Sequence, residues 1–301
     1  MTHQTLLRTC DGALTGKPNL AAAFDDAWRE DYHRRVNALP EDESPAFPLA
    51  YLLPVKHMDF PNLFPTWMQE RIERALGALV PQMSIRDKRG IFSMLRSESD
   101  SAACEEMMAA AAFGLEFGWD SLRAPHTPPN QIRPEFFVEH SGARWAVECR
   151  GLEDNARIRG LNAEALETNQ CWMAPCMSDT DRRRLRDATV EKLRRHRASG
   201  PMVMLLFSRS PWLSAGDMNF VARDILSAPT AFGIGRNELP LALAYLSLNV
   251  VQGIWLCAEA CRTSNIPTDL QERIRGAIQR GFISRNDGVL LSERDPIFSQ
   301  P

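Results

Sequence analysis

Lysine is scarce in this 301-residue chain: of 35 basic residues only Lys17, Lys56, Lys88 and Lys192 are lysine, the rest being arginine. An arginine at a given site therefore partly reflects composition. Excess charge is also missing. A formal charge of -3 leaves no global basic footprint and argues against a protein that coats nucleic acid non-specifically. The seven cysteines are odd in number and contain no CxxC pair, which excludes the pattern of a disulfide framework or a zinc ribbon and makes reduced cytoplasm the expected location. No basic segment followed by an apolar run opens the chain. Its most apolar stretch, LALAYLSLNVVQGIWLCAEA over 241–260, is interrupted by Ser247, Asn249, Gln252 and Gly253. Neither export nor a membrane span is expected.

What is present suits a globular protein. An apolar share of 44% over this length fills one large domain or two modest ones. Residues 1–65 offer a helix around NLAAAFDDAWREDYHRRVNAL, then a connector punctuated by Pro40, Pro45, Pro48, Pro54, Pro61 and Pro65, a density that blocks long helices and interior strands. Helical spacing follows in TWMQERIERALGALV (66–80), and strong helix formers in DSAACEEMMAAAAFGLEFG, with Asp100 or Ser101 as its cap. Two helices thus precede a hairpin at residues 133–151. Residues 152–180 have no clear assignment. DRRRLRDATVEKLRRHR is helical, Gly200 ends it, and PMVMLLF has the character of a buried strand. A helix over 214–228, the apolar stretch as a strand, and a helix capped by Thr268 and Gln271 and stopped by Gly281 complete the order. This pattern predicts a mixed α/β fold with residues 1–90 as an N-terminal helical, proline-rich appendage and 91–301 as the main domain with a C-terminal helical extension.

The hairpin is the chemical centre of the sequence. Ser141-Gly142 is a turn signal, and a hairpin centred there sets Glu135 opposite Glu148, Phe137 opposite Ala146 and Glu139 opposite Arg144. Alternation places Phe136, Val138, His140, Ala143, Trp145, Val147 and Cys149 on a core face. Glu135, Glu139, Arg144, Glu148 and Arg150 share the other. Two like charges directly opposed on an antiparallel pair repel. A hard divalent cation such as Mg²⁺, bound through carboxylates, water and phosphate oxygens, removes that penalty, and Arg150 adds positive charge on the same face.

PEFFVEHSGARWAVECRG resembles the central motif of the PD-(D/E)XK nuclease superfamily, an acid after proline and then acid-x-lysine on the next strand. The resemblance covers residues 100 to 151 and implies a restriction-endonuclease-like mixed central sheet flanked by helices, and a metal-dependent nuclease. It implies Glu135 and Glu148 as metal ligands. Glu106 of the preceding helix is a third, with Glu105 as alternative, and Mg²⁺ or Mn²⁺ is the cofactor. Arg150 stands where the family has lysine. A guanidinium stays charged, so Arg150 suits phosphate stabilisation and not proton transfer. Three outcomes are open: the metal alone activates water; catalysis is lost and binding kept; or Lys192, on the inward stripe with Leu185 and Ala188, supplies the ammonium from another element. DNA is expected over RNA by resemblance only, and a homodimer is left open.

Blander readings stand beside these. The hairpin acids of an unrelated α/β protein would simply be exposed. The basic run is a solvated face by its interleaved Asp181, Asp187 and Glu191; if it tracks a phosphate backbone, Lys192 and Arg194 are its contacts. His140 reads as a satisfied core histidine, Cys257 and Cys261 as core, and GIG at 233–235 as a turn.

Overall fold

Ser141 and Gly142 both take the left-handed conformation, with φ of 50° and 77°. Two such residues in succession make the primed turn whose twist matches the strands it joins. The turn fixes the register expected from the sequence: β2 (Phe136–His140) and β3 (Ala143–Leu152) pair antiparallel, with Phe137 opposite Ala146 and Glu139 opposite Arg144. The Glu135 N–H donates to the Val147 carbonyl at 3.1 Å, which carries the ladder to the start of β2. The computed structural model describes residues 2–43, 66–97, 102–125, 134–152, 179–196, 202–208, 220–234 apart from 222 and 226, 242–249, 254–262 and 267–282.

Around this hairpin a six-stranded mixed sheet forms in sequence order, with β1 (Leu122–Arg123), β4 (Met202–Ser208), β5 (Ala242–Asn249) and β6 (Ile254–Arg262). β1, β2 and β3 run antiparallel; β4 and β5 continue parallel to β3; β6 returns antiparallel. The apolar stretch expected as one strand is two, β5 and β6, separated by residues 250–253, where Gln252 and Gly253 interrupt it.

Helices cover both faces. α6 (Ala102–Phe117) lays an alanine-rich surface on the Phe136, Val138, Val147 and Cys149 side, joined there by Val203 and Leu205 of β4. Small side chains let helix and sheet approach closely, and the Phe113 ring meets Phe136 edge-on at 5.8 Å. α4 (Thr66–Leu79) and α8 (Thr268–Phe282) pack against α6. On the opposite face α7 (Asp179–His196) sets Leu185, Val190 and Leu193 against Ala146, Met204 and Leu206. β4 is therefore buried on both sides, as a parallel strand with a helical crossover requires.

The N-terminal region is more finely divided than its composition suggests. The single helix expected after residue 18 is two, α2 (Pro18–Ala23) and α3 (Asp26–Asn37), because Asp25 leaves the helix and accepts the Trp28 N–H at 2.9 Å as a cap. α1 (His3–Ala13) and α5 (Ile85–Leu95) were not anticipated. The boundary expected between residues 90 and 91 falls inside α5, and one core runs from Leu7 to Ala277. Glu73 of α4 ties the start of α2 down by accepting the Asn19 and Leu20 N–H groups at 3.1 and 2.8 Å. α8 continues through Gly281 to Phe282, so that glycine is not its stop. Of the helix expected over 214–228, residues 220, 221, 223–225 and 227 are helical. The proline connector over 44–65 and residues 153–178 lie outside the described residues.

Candidate functional site

Four elements bring four charged side chains together. β3 supplies Glu148, whose neighbours Val147 and Cys149 face α6 while it faces α7. Glu135 enters from the start of β2, Glu106 from the first turns of α6, and Lys192 from α7. The Lys192 ammonium pairs with Glu148 Oε1 and stands 3.5 Å from Glu135 Oε1. Glu148 is wholly shielded from solvent, whereas about a fifth of the Lys192 and Glu135 side chains is exposed. Helical spacing explains the lysine: Leu185, Thr189 and Lys192 fall on one stripe, and the Thr189 hydroxyl is buried by donating to the Leu185 carbonyl at 2.8 Å.

Burial sets the protonation of the cluster. It raises the Glu106 carboxyl well above its ordinary range; the charge of Glu135, a hydrogen bond with Glu135 and the charge of Glu148 add to the rise, and Lys192 opposes it. Glu148 is pushed up to about 9 by burial first and by Glu135 next, and the Lys192 ion pair only partly offsets these. Burial alone would lower Lys192, but Glu148 and Glu135 turn its shift upward. Burial thus favours the neutral forms of Glu106 and Glu148, while the acids around it favour the charged form of Lys192. Glu105 is also buried, and Glu106 is hydrogen-bonded to Glu135. The Cys149 thiol behind the cluster is raised far above its usual range by burial and by these acids.

Ionising all three glutamates would leave two net negative charges beside Lys192 in a site with little solvent. A divalent cation supplies that balance, and carboxylate oxygens are the hard donors that Mg²⁺ and Mn²⁺ take. The donor set fits such an ion in type and in charge. As the side chains stand, Glu148 Oε1 and Glu135 Oε1 face the ammonium and Glu106 is hydrogen-bonded to Glu135, and among the described residues no three His, Cys, Asp or Glu are grouped at metal-ligand spacing.

The remaining expected residues lie apart from this cluster. Arg150, two residues beyond Glu148 on β3, exposes its side chain, so the cation at the carboxylates is Lys192. Arg194 is exposed and donates to the Phe232 carbonyl. It caps the turn Pro229–Phe232 at Gly233, where φ is 69° and a Cβ would meet Arg194 Nη2 at 3.1 Å. Outward cations of α7 find local anions, Arg195 on Glu191 and Arg186 on Asp224 at 3.0 Å. His140 binds Asp269 Oδ2 at 3.0 Å and meets the Phe117 ring edge-on. The side chains of Cys257 and Cys261 lie outside what is described. The hairpin alone does not show that its acidic face is covered; the signal for the cover is the apolar MVMLLF run, which needs both faces of its sheet buried.

Compared with protein-family models, with curated proteins and with solved structures, the chain matches none.

Proposed function

We propose that the chain is a metal-dependent nuclease of the PD-(D/E)XK type that hydrolyses phosphodiester bonds of nucleic acid, DNA by preference, at the Glu106, Glu135, Glu148 and Lys192 cluster. The observation that carries this reading is the lysine. The motif lacks one on β3, and Lys192 brings an ammonium from α7 to the same two carboxylates. The order α6, β1, β2, β3, α7, β4 supports it as well, being the order a restriction-endonuclease-like sheet needs.

Glu106, Glu135 and Glu148 would hold Mg²⁺ or Mn²⁺. When bound, that ion lowers the pKa of a water and offsets charge on the scissile phosphate. Glu148 sits mid-strand, where the β3 ladder fixes its backbone position and the face it presents, so it sets the position of the site. Glu106 and Glu135 share a hydrogen bond beside it. Lys192 carries a raised pKa and is a full cation at neutral pH. Its part is to donate to a phosphate oxygen or to the attacking water, where a fixed donor in a desolvated site is most effective. Arg150 lies further along the same face and meets solvent, in reach of a phosphate flanking the site.

One observation favours a second reading, a nuclease-like protein that binds without cutting: Glu148 is closed to solvent and its Oε1 already pairs with an ammonium. Incubation of supercoiled plasmid with the full chain separates the two. Cleavage that needs Mg²⁺ or Mn²⁺ and disappears in Glu148→Gln supports the nuclease. DNA binding without cleavage in either metal supports the silent binder.

A further inference from the structure

Trp119 lies across the end of α6 because two glycines make room for it. A Cβ on Gly114 would come within 2.6 Å of Trp119 Cε3, and Gly118, with φ of 94°, turns the chain back at once. Over the indole stands the Arg74 guanidinium of α4, 6.0 Å from the ring centroid. These two groups, with Gln82, Asp120 and Arg123, line a pocket of about 720 Å³. Its wall is rigid. The Gln82 amide donates to the Ala78 and Leu122 carbonyls at 2.8 and 3.0 Å and accepts the Ala124 N–H at 3.3 Å, joining the end of α4 to β1.

Arg123 belongs both to this pocket and to the charged face of the sheet. It stands opposite Phe137, so it shares a face with Glu135 and Glu139. Its guanidinium pairs with Glu139 at 2.8 Å and donates to the Asp120 carbonyl at 2.5 Å, and Arg144 takes the other Glu139 oxygen at 3.0 Å. Two cations on one anion therefore form a row across β1, β2 and β3, on the face of the sheet that also carries Glu135 and Glu148.

The geometry points to a subsite for one unpaired nucleotide of a nucleic-acid strand, its base against the Arg74–Trp119 pair and its phosphate on Arg123. The pocket is large enough for a nucleotide. An indole flanked by guanidinium stacks any base, and arginine is the side chain suited to phosphate. Asp120 at the rim is an acceptor for an amino group on a base edge. Four residues separate Glu139 from Glu135, about 13 Å at strand spacing, or about four nucleotide steps of a duplex strand. The inference rests on the nuclease reading for the identity of the polymer, and it narrows the substrate to nucleic acid carrying an unpaired base near the cut.

The test is fluorescence anisotropy in EDTA with the full chain and two fluorescein-labelled probes, a thymidine dodecamer and an abasic oligomer of the same length. The native chain should bind the dodecamer about tenfold more tightly than the abasic probe. Trp119→Ala should erase that preference, Trp119→Phe should keep most of it, and Arg74→Glu should weaken both probes. Equal affinity of the native chain for the two probes overturns the inference, as does native-like binding by Trp119→Ala and Arg74→Glu together. Plasmid cleavage without base preference removes the subsite and leaves the nuclease; base preference without cleavage does the reverse.

Discussion

The Lys192 ammonium is shared between Glu148, which no solvent reaches, and Glu135 at 3.5 Å, so a helix on one face of the sheet neutralises a carboxyl group in the middle of β3. The pair is both a structural tie and the centre of the proposed chemistry. Removing either partner should reveal which role dominates.

Lys192→Met keeps the aliphatic stem and deletes the charge. Breaking a buried ion pair by removing one partner typically costs about 3 kcal/mol or more, less where the orphaned carboxyl can take a proton. We expect a loss of about 2–3 kcal/mol in urea denaturation at pH 7.5. The double variant Lys192→Met/Glu148→Gln should recover more than half, since it leaves no buried carboxyl deprived of its ammonium partner. A single variant as stable as the native chain would show that the pair contributes nothing to folding.

Stability in EDTA should fall as pH rises. Folded Glu148 keeps its proton until about pH 9, whereas an unfolded glutamate loses it near 4.5. Between these values the folded state binds more protons than the unfolded one. The contribution is therefore complete below about 4.5, declines through neutrality and is gone above about 9, at a slope of at most about 1.4 kcal/mol per pH unit. Glu106 is shifted in the same direction. Lys192, with a raised pKa, contributes below its unfolded value and loses that contribution only above it, so it does not reverse the trend. The urea midpoint should be higher at pH 5.5 than at pH 8.5, and Glu148→Gln should flatten the difference.

Much of this site was legible because it lies on a hairpin. A two-residue turn and period-2 alternation fix register and face together, so Glu135, Glu139, Arg144 and Glu148 could be assigned before any coordinates. The inward lysine was legible for the same reason, through helical period. Burial of the acidic face was legible only indirectly, through the apolar run of β4, since it depends on α7 folding back over β3 and β4, a long-range event that leaves no mark on the hairpin itself. The break at Asp25 was missed because an aspartate fits a helix surface as well as a cap; here Phe24 and Asp25 leave the helix and one N–H decides the outcome. Trp119 escaped notice because its partners, Arg74 and Gly114, come from different helices.

Cleavage should depend on Lys192 far more than on Arg150. The ammonium meets both carboxylates, whereas Arg150 is exposed. Loss of a fixed donor to a developing charge typically costs about 10²–10³ in rate. Initial rates of plasmid cleavage in Mg²⁺ should drop by about that factor in Lys192→Met and by less than about tenfold in Arg150→Ala. The opposite ranking would return the role to the strand arginine.

Gly114→Ala should destabilise through a single contact. The added methyl would lie 2.6 Å from Trp119 Cε3 and force the indole off α6, a type of overpacking that costs about 1–3 kcal/mol. Adding Trp119→Ala to that variant removes the clash. In differential scanning fluorimetry the double variant should therefore lose less than the two single losses combined, a coupling expected only of residues in contact.

Metal and lysine should compete for the same oxygens. A ligand that binds only the folded chain raises stability, by about 2.7 kcal/mol at a hundredfold excess over its Kd, so Mn²⁺ should increase the melting temperature of the native protein. Glu148→Gln removes a carboxylate donor and should abolish the shift. In Lys192→Met the carboxyl oxygens no longer have an ammonium among them, and removing a cation from an acidic cluster strengthens its attraction for another. Titration calorimetry should then give a Kd for Mn²⁺ at or below the native value in Lys192→Met, although cleavage by the same variant is lost. Tighter metal with no cleavage assigns the ammonium to the phosphate or the water; weaker metal in Lys192→Met would mean that the lysine shapes the carboxylates for the ion instead.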